Sequence, residues 1–386
     1  MAREAAVQDR RHVNLRQLHG REARCRYAAA ARAVEVAAAL NWRGGAARSP
    51  ASQWFSIRVM AILVTGSAGH LGEALMRTLR REGVPVVGLD RKASPFTSRV
   101  GSICERAFVD DAMKGATAVV HAATLHKPHV ATHSWADFID TNVKGTLHLL
   151  ESAVAAGVGS FVYLSTTSVF GAALASESPA AATWVTEDLI PRPKNIYGAS
   201  KLMAEGLCEL TARRRGLPIV ILRTSRFFPE QDDDPAMRAE FASANLQANE
   251  ILYRRVDIED AVSAIKCALE RARSIRCGMF IVSATSPLTA ADCALLGRDP
   301  GAVIRRKFPE SESLFASRGW KLPPRLDRVY SNQRARAELG WVPRYDFRHV
   351  LDCLASNRDF RSALAREVGS KGYHERSFAD QPYPVE

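Results

Sequence analysis

The sequence predicts an α/β fold, a doubly wound parallel sheet followed by a smaller C-terminal portion, on three observations. The apolar run Ala61-Ile62-Leu63-Val64 enters Thr65-Gly66-Ser67-Ala68-Gly69-His70-Leu71-Gly72, and an amphipathic stretch continues to residue 81. That order reads as strand, tight turn and helix. A second strand-like run, residues 84 to 89, ends on Asp90, eighteen residues after Gly72. Beyond it, strand-like and helical segments alternate, as in parallel strands joined by crossover helices.

Glycines at 66, 69 and 72 let the backbone turn sharply, approach a ligand closely and pack the new helix on its strand. The N–H groups at the helix start then face whatever lies in the loop, and a pyrophosphate satisfies them best. The spacing is G-x-x-G-x-x-G, one residue longer between the first two glycines than the G-x-G-x-x-G fingerprint. Asp90 stands where a dinucleotide site needs a carboxylate for the adenosine ribose hydroxyls. Expected strands are residues 61–64, 84–89, 107–109, 117–121, 160–164 and 218–222, with helices at 71–82, 135–156 and 197–215. A helix at 258–272 precedes another strand near 279–282. After residue 284 the chain is irregular and Pro-punctuated, with short helices near 332–339 and 346–356, which suits a small lid. The expected organisation is a disordered basic extension at 1–59, a dinucleotide-binding core at 60–285, a small substrate-side domain at 286–368 and a frayed tail at 369–386.

Composition narrows the function classes. The 386 residues are 47% apolar, enough for a large core, and carry a net charge of +12. Residues 1–59 hold 11 Arg, no Lys and 4 acids, so most of the excess lies in the N-terminal extension. No basic helix with interleaved aromatics accompanies it, which argues against a nucleic-acid partner. Seven scattered cysteines without C-x-x-C spacing fit reduced thiols in a cytoplasmic protein. The longest uncharged run, residues 152–176, contains 10 Ser, Thr or Gly and reads as a core segment, not a membrane span.

Tyr197-Gly198-Ala199-Ser200-Lys201 places a phenol and an ammonium four residues apart on one helix face. Lowering a phenol from about 10 to about 7 requires roughly 4 kcal/mol of preferential stabilisation of the phenolate. Lys201 and an oxidised, cationic nicotinamide together supply it, so Tyr197 can exchange a proton with a substrate hydroxyl. The preceding Leu164-Ser165-Thr166-Thr167-Ser168-Val169-Phe170-Gly171 follows a strand, which puts its hydroxyls at the same sheet edge.

With these segments, the chain resembles an extended short-chain dehydrogenase/reductase of the NAD-dependent epimerase/dehydratase family, from residue 60 to about 356. The T-G-x-x-G-x-x-G loop, Val120-His121-Ala122-Ala123, Thr141-Asn142-Val143-Lys144-Gly145-Thr146, residues 165–171 with Phe170 in place of the usual Tyr, the Tyr197/Lys201 pair and Arg334-Ala335-Arg336-Ala337-Glu338-Leu339-Gly340-Trp341-Val342-Pro343 match its motifs in order. The resemblance implies a Rossmann sheet and catalytic roles for Thr166, Tyr197, Lys201 and Asn142, the last orienting the others. For the cofactor it implies Gly66, Gly69, His70, Leu71 and Gly72 at the pyrophosphate, Asp90 and Arg91 at the adenosine ribose, and Asp110 near adenine. Ala122, Ala123 and Thr124 would line its inner side, with Asn142, Tyr197, Lys201 and Ser225 toward the nicotinamide. Substrate positions are Thr124, Thr166, Thr167, Tyr197, Arg226 and Arg254.

Asp90 favours NAD, because a 2′-phosphate within about 4 Å would cost up to roughly 4 kcal/mol at an effective dielectric near 20. Arg91 and Lys92 read as solvated turn charges and leave NADP as the alternative. His121, His126, His129 and His133 fall within 13 residues, but Pro128 interrupts them and no Cys joins them, so no metal is expected. His121 reads as a strand-end packing residue and the others as a pocket rim; Asp232-Asp233-Asp234 reads as a solvated loop.

Thr167 and Ser168 replace the Asp-Glu that the family's dehydratases carry after the Thr, which disfavours dehydration. Only 27 residues separate Arg226 from Arg254, short for the nucleotide cradle of the family's epimerases. The leading expectation is reversible hydride transfer between NAD and a secondary alcohol of a sugar-like or small anionic substrate. The alternatives are a nucleotide-sugar 4-epimerase with tightly held NAD and a silent NAD-binding sensor. The resemblance also implies a homodimer.

Overall fold

Strand β1 (Ala61–Thr65) lies inside a seven-stranded sheet of order β3-β2-β1-β4-β5-β7-β8, parallel throughout. The other strands are β2 (Val86–Asp90), β3 (Arg99–Val100), β4 (Ala116–His121), β5 (Ser160–Thr166), β7 (Ile219–Thr224) and β8 (Cys277–Val282); β6 (Thr183–Val185) and β9 (Arg328–Tyr330) pair separately. The computed structural model describes residues 61–176, 180–232 and 234–372. The expected basic extension at 1–59 and most of the expected tail lie outside these residues.

Successive side chains of a strand point to opposite faces, and here both faces are apolar. Val64, Val120, Val162, Val220 and Val282 point to one side, against helices α1 (His70–Arg81) and α5 (Ile258–Ile275). Leu63, Val119, Phe161 and Ile219 point to the other, against α2 (Arg106–Ala112), α3 (Gly145–Ala155) and α4 (Ile196–Arg215). Near-continuous β-branched runs therefore form buried central strands.

Two expectations change. Residues 107–109 are not a strand but part of α2, and the third strand is the two-residue β3. Val109 and Ala112 are buried at helical spacing, and Arg106 pairs with Asp110 one turn on, at 3.0 Å. A short apolar run carries too little periodicity to distinguish the two structures. The single helix expected at 135–156 is instead a short α-helix (Trp135–Phe138), a π-helical turn (Ile139–Lys144) and α3. Such a turn widens the helix, and this one carries Asn142.

The chain after residue 285 contributes to two cores. Val303, Ile304, Phe315, Leu326 and Phe347 pack with Ala248 and Leu252, at and just after the helix Ser243–Ile251. Ala335, Leu339, Trp341, Leu364 and Val368 pack on the α1/α5 side of the main sheet. Trp341 Nε1 donates to Ser263 Oγ at 2.8 Å, and the buried Asp260 carboxylate accepts the N–H groups of Arg344 and Tyr345 at 2.9–3.0 Å. These bonds fasten the C-terminal portion to α5.

Burial raises the Asp260 carboxyl from its ordinary 3.8 to about 6, so the folded state holds this proton more tightly than the unfolded chain. Its contribution to stability is then full below pH ~4 and is lost as pH rises through 6. Relative to Asp260→Asn, the wild-type protein should lose about 1–3 kcal/mol between pH 4 and 7, read from urea-unfolding midpoints.

Candidate active site

A cleft of about 1360 Å³ opens at the carboxyl ends of β1, β4, β5 and β7. Parallel sheets leave ligand sites at this edge, because the turns out of the strands meet there. Its floor at one end is the turn between β1 and α1. Gly66 adopts φ +74°, and a Cβ on it would sit 2.7 Å from Ala123 N, so only glycine fits. A Cβ on Gly72 would overlap the Gly66 carbonyl, so this glycine allows the helix to rest on the turn. Helix α1 begins at Gly69 without a side-chain cap, and residues 69–72 line the cleft. Asp90 closes this end: Oδ2 accepts from Ala68 N at 3.0 Å and Oδ1 from Lys92 N at 2.9 Å. Arg91 and Lys92 are exposed on the rim.

Ala122, Ala123 and Thr124, leaving β4, form the inner wall. The wall is held from behind: Ala123 N donates to Thr65 Oγ1 at 3.2 Å, and His121 is buried between Thr65 and Thr146, 2.8 and 2.9 Å from their hydroxyls. Asn142 lies behind this wall and uses both ends of its carboxamide. Oδ1 accepts from Thr124 Oγ1 and Leu125 N at 2.9 and 2.8 Å, while Nδ2 donates to Leu125 O and Ser200 Oγ at 3.0 and 2.9 Å. With all four capacities filled, Asn142 joins the segment after β4 to α4, the helix of Tyr197 and Lys201.

Tyr197 and Thr166 meet inside the cleft. Thr166 ends β5 and accepts from Ser168 N at 3.1 Å, and it lines the cleft together with Tyr197. Asn195 caps α4 by accepting from Gly198 N at 3.1 Å, which fixes the start of the helix carrying Tyr197. Lys201 follows one turn later, only 2% exposed, with Nζ 4.2 Å from the centre of the Tyr163 ring. Burial raises the Tyr197 phenol above its usual range, with the Thr166 hydroxyl opposing the rise; burial pulls the Lys201 ammonium down to about 7. Without further positive charge the phenol therefore stays protonated.

Thr167 and Ser225 also line the cleft, and Ser225 Oγ is buried with no hydrogen-bond partner. Arg226 and Arg254 face it too, but within an ion-pair cluster: both contact Asp232, at 3.3 and 3.0 Å, and Arg254 contacts Glu250 at 2.7 Å. Asp232 is thus a buried counter-ion, not the solvated loop residue expected. Asp110 is also corrected. Because residues 107–109 are helical, its carboxylate bonds Arg106 and Ser152 on the surface and does not reach the cleft. His126, His129 and His133 line the rim, and among the described residues no cluster suited to a metal ion is found.

Sequence reasoning missed Phe228, Arg328, Tyr330 and residues 370–372, all of which line the cleft. Arg328 and Tyr330 arrive on the three-residue β9, too short for a periodic signal.

A model of the NAD dependent epimerase/dehydratase family matches residues 62–282. The chain belongs to this family. A UDP-glucose 4-epimerase of Azospirillum brasilense is 29% identical over 346 residues, 81% of this chain and 94% of that protein. An L-arabinose 1-dehydrogenase (NAD(P)(+)) of Haloferax volcanii is 30% identical over 170 residues, covering 42% of this chain and 65% of the relative. Among solved structures, a short-chain dehydrogenase/reductase superfamily protein from Agrobacterium tumefaciens with bound NAD matches with a TM-score of 0.56 and 26% identity, over 77% of this chain and 96% of that one.

The family is NAD-dependent, and the residues present fit such a cofactor. The glycine turn leaves no room for side chains, the first turn of α1 is uncapped, and the Ser225 hydroxyl waits unpaired in the wall. Gly72→Val should cost about 2–4 kcal/mol by forcing the turn away from α1. It should also weaken NAD binding more than tenfold, by thermal melting and calorimetric titration.

Proposed function

We propose that the chain catalyses reversible hydride transfer at a secondary alcohol or carbonyl carbon of a sugar-like substrate, with Tyr197 exchanging the proton. The observation that carries this reading is that Thr166 and Tyr197 line the same cleft as the glycine turn, with Lys201 buried one turn along the helix from Tyr197.

Bound NAD supplies a carbon that accepts or returns hydride and, when oxidised, a positive charge. The turn at Gly66, Gly69, His70, Leu71 and Gly72 would hold its diphosphate, Asp90 and Arg91 the adenosine ribose, and Ala122, Ala123, Thr124 and Ser225 its inner side. Lys201 would hold the nicotinamide ribose, and Asn142 keeps that helix in place. Thr166 Oγ1 positions the substrate oxygen beside Tyr197 Oη, which takes its proton in oxidation and gives it back in reduction. Lys201 favours the phenolate by charge; closure over ligand strengthens that effect as water leaves. Thr124 and Thr167 face the sugar hydroxyls. Arg226 and Arg254, part-neutralised by Asp232 and Glu250, would retain a share of positive charge for an anionic group.

A second reading, nucleotide-sugar 4-epimerisation with retained NAD, is favoured by the near-full-length similarity to the Azospirillum brasilense epimerase. It uses the same proton chemistry but gives no net change in NAD. Following reduced nicotinamide and product stereochemistry together, over sugars, uronates and nucleotide sugars, separates the two. On an identified substrate, Tyr197→Phe should lower kcat by about 10²–10⁴ with NAD affinity changed less than about threefold. Unchanged turnover would refute the mechanism.

Lys201 links this chemistry to stability. Its folded value of about 7 lies below the ordinary 10.5, so the unfolded chain binds the proton more tightly and the residue opposes folding below pH ~10. Lys201→Met should stabilise the NAD-free protein by about 1–4 kcal/mol at pH 7. The advantage should shrink as pH rises toward 10.5 in thermal melts.

A further inference from the structure

The segment after the last helix (Ala363–Val368) returns to the glycine turn, far from where the chain's family motifs end. Residues 370–372 form part of the cleft wall beside residues 69–72. One carboxylate oxygen gathers the contacts that hold them there. Glu230 Oε1 accepts from Ser370 Oγ at 2.8 Å and from Lys371 N at 3.1 Å, and lies 2.8 Å from Nε2 of His70, the first residue of α1. Lys371 Nζ pairs with Glu73 in the first turn of the same helix.

This placement answers an electrostatic problem. The first turn of α1 attracts an anion through its amides, yet Glu73, buried in that turn, opposes one. From residue 66 to residue 73 the chain contains no Lys or Arg. Arg77 sits one turn deeper and is bound to Glu73 and Glu367. Lys371 is a cation that the fold brings to that turn, where it also lines the cleft.

Resting on the NAD reading above, we infer that residues 370–372 are a strap over the diphosphate end of the cofactor site, with Lys371 as the diphosphate's cationic ligand. NAD exchange then requires the strap to leave Glu230, so the strap slows release of the cofactor as well as strengthening its binding. A chain that retains NAD this way can return the hydride to the same substrate before the cofactor departs.

The test compares NAD with adenosine, which lacks the diphosphate, by calorimetry and by the rate of NAD release in a chase with excess ADP-ribose. Lys371→Ala in the full chain should weaken NAD by about 5–20-fold and speed its release similarly. Adenosine affinity should stay within about twofold, and Lys371→Arg should restore most of the NAD affinity. Truncation after Gly369 should match Lys371→Ala. Unchanged NAD affinity and release in both variants would overturn the strap, as would equal losses for adenosine and NAD, which mark a distorted turn. Failure of the wild-type protein to bind NAD would instead overturn the cofactor reading itself.

Discussion

Lys201 carries an ammonium to a position where water barely reaches, with Nζ 4.2 Å over the Tyr163 ring. A charge so placed loses hydration that one ring cannot replace, and the rest of the site is arranged around that deficit. Glu205, one turn further along α4, is buried and ion-paired with Arg223 of β7 at 2.8 Å, and its charge favours the protonated lysine. Ser165 donates to the same carboxylate, so the strand that presents Thr166 is tied to the helix that presents Tyr197.

Much of this was legible in the sequence. The glycine turn, Asp90, the Thr166 strand end and the Tyr197/Lys201 spacing are local features; the turn, Asp90, Thr166 and Tyr197 line one cleft, and Lys201 is buried one turn along the helix from Tyr197. The central strands were equally plain, because alternate residues of their mostly apolar runs feed two buried faces. What failed was either short or distant. Phe108 and Val109 look like a strand fragment until Ala112 and the Arg106–Asp110 pair reveal a helical period. That error moved Asp110 to the wrong place. Asp232 looked solvated because its partners, Arg226 and Arg254, come from different segments of the chain.

The arginines of the cleft illustrate how a network tempers charge. Arg226, Arg254 and Arg255 surround Glu250 and Asp232, leaving more cation than anion in a largely buried cluster. Paired side chains of this kind hold their geometry, since each guanidinium would be uncompensated without its carboxylate. Phe228 covers Arg226, with the guanidinium 4.9 Å from its ring centre. The cleft therefore offers two unlike surfaces: a backbone-lined glycine turn and a side-chain-built cationic wall.

The pairing of β6 with β9 has a consequence for biogenesis. Thr183 bonds alongside Arg328, and Trp184 alongside Val329, so this small sheet joins stretches made far apart in time on the ribosome. Such long-range contacts demand large loop closures and form slowly. The main sheet has every strand it needs once residue 282 emerges, whereas the wall bearing Arg328 and Tyr330 must await nearly fifty further residues. A nascent chain can thus complete its main sheet and glycine turn while the cleft still lacks Arg328 and Tyr330.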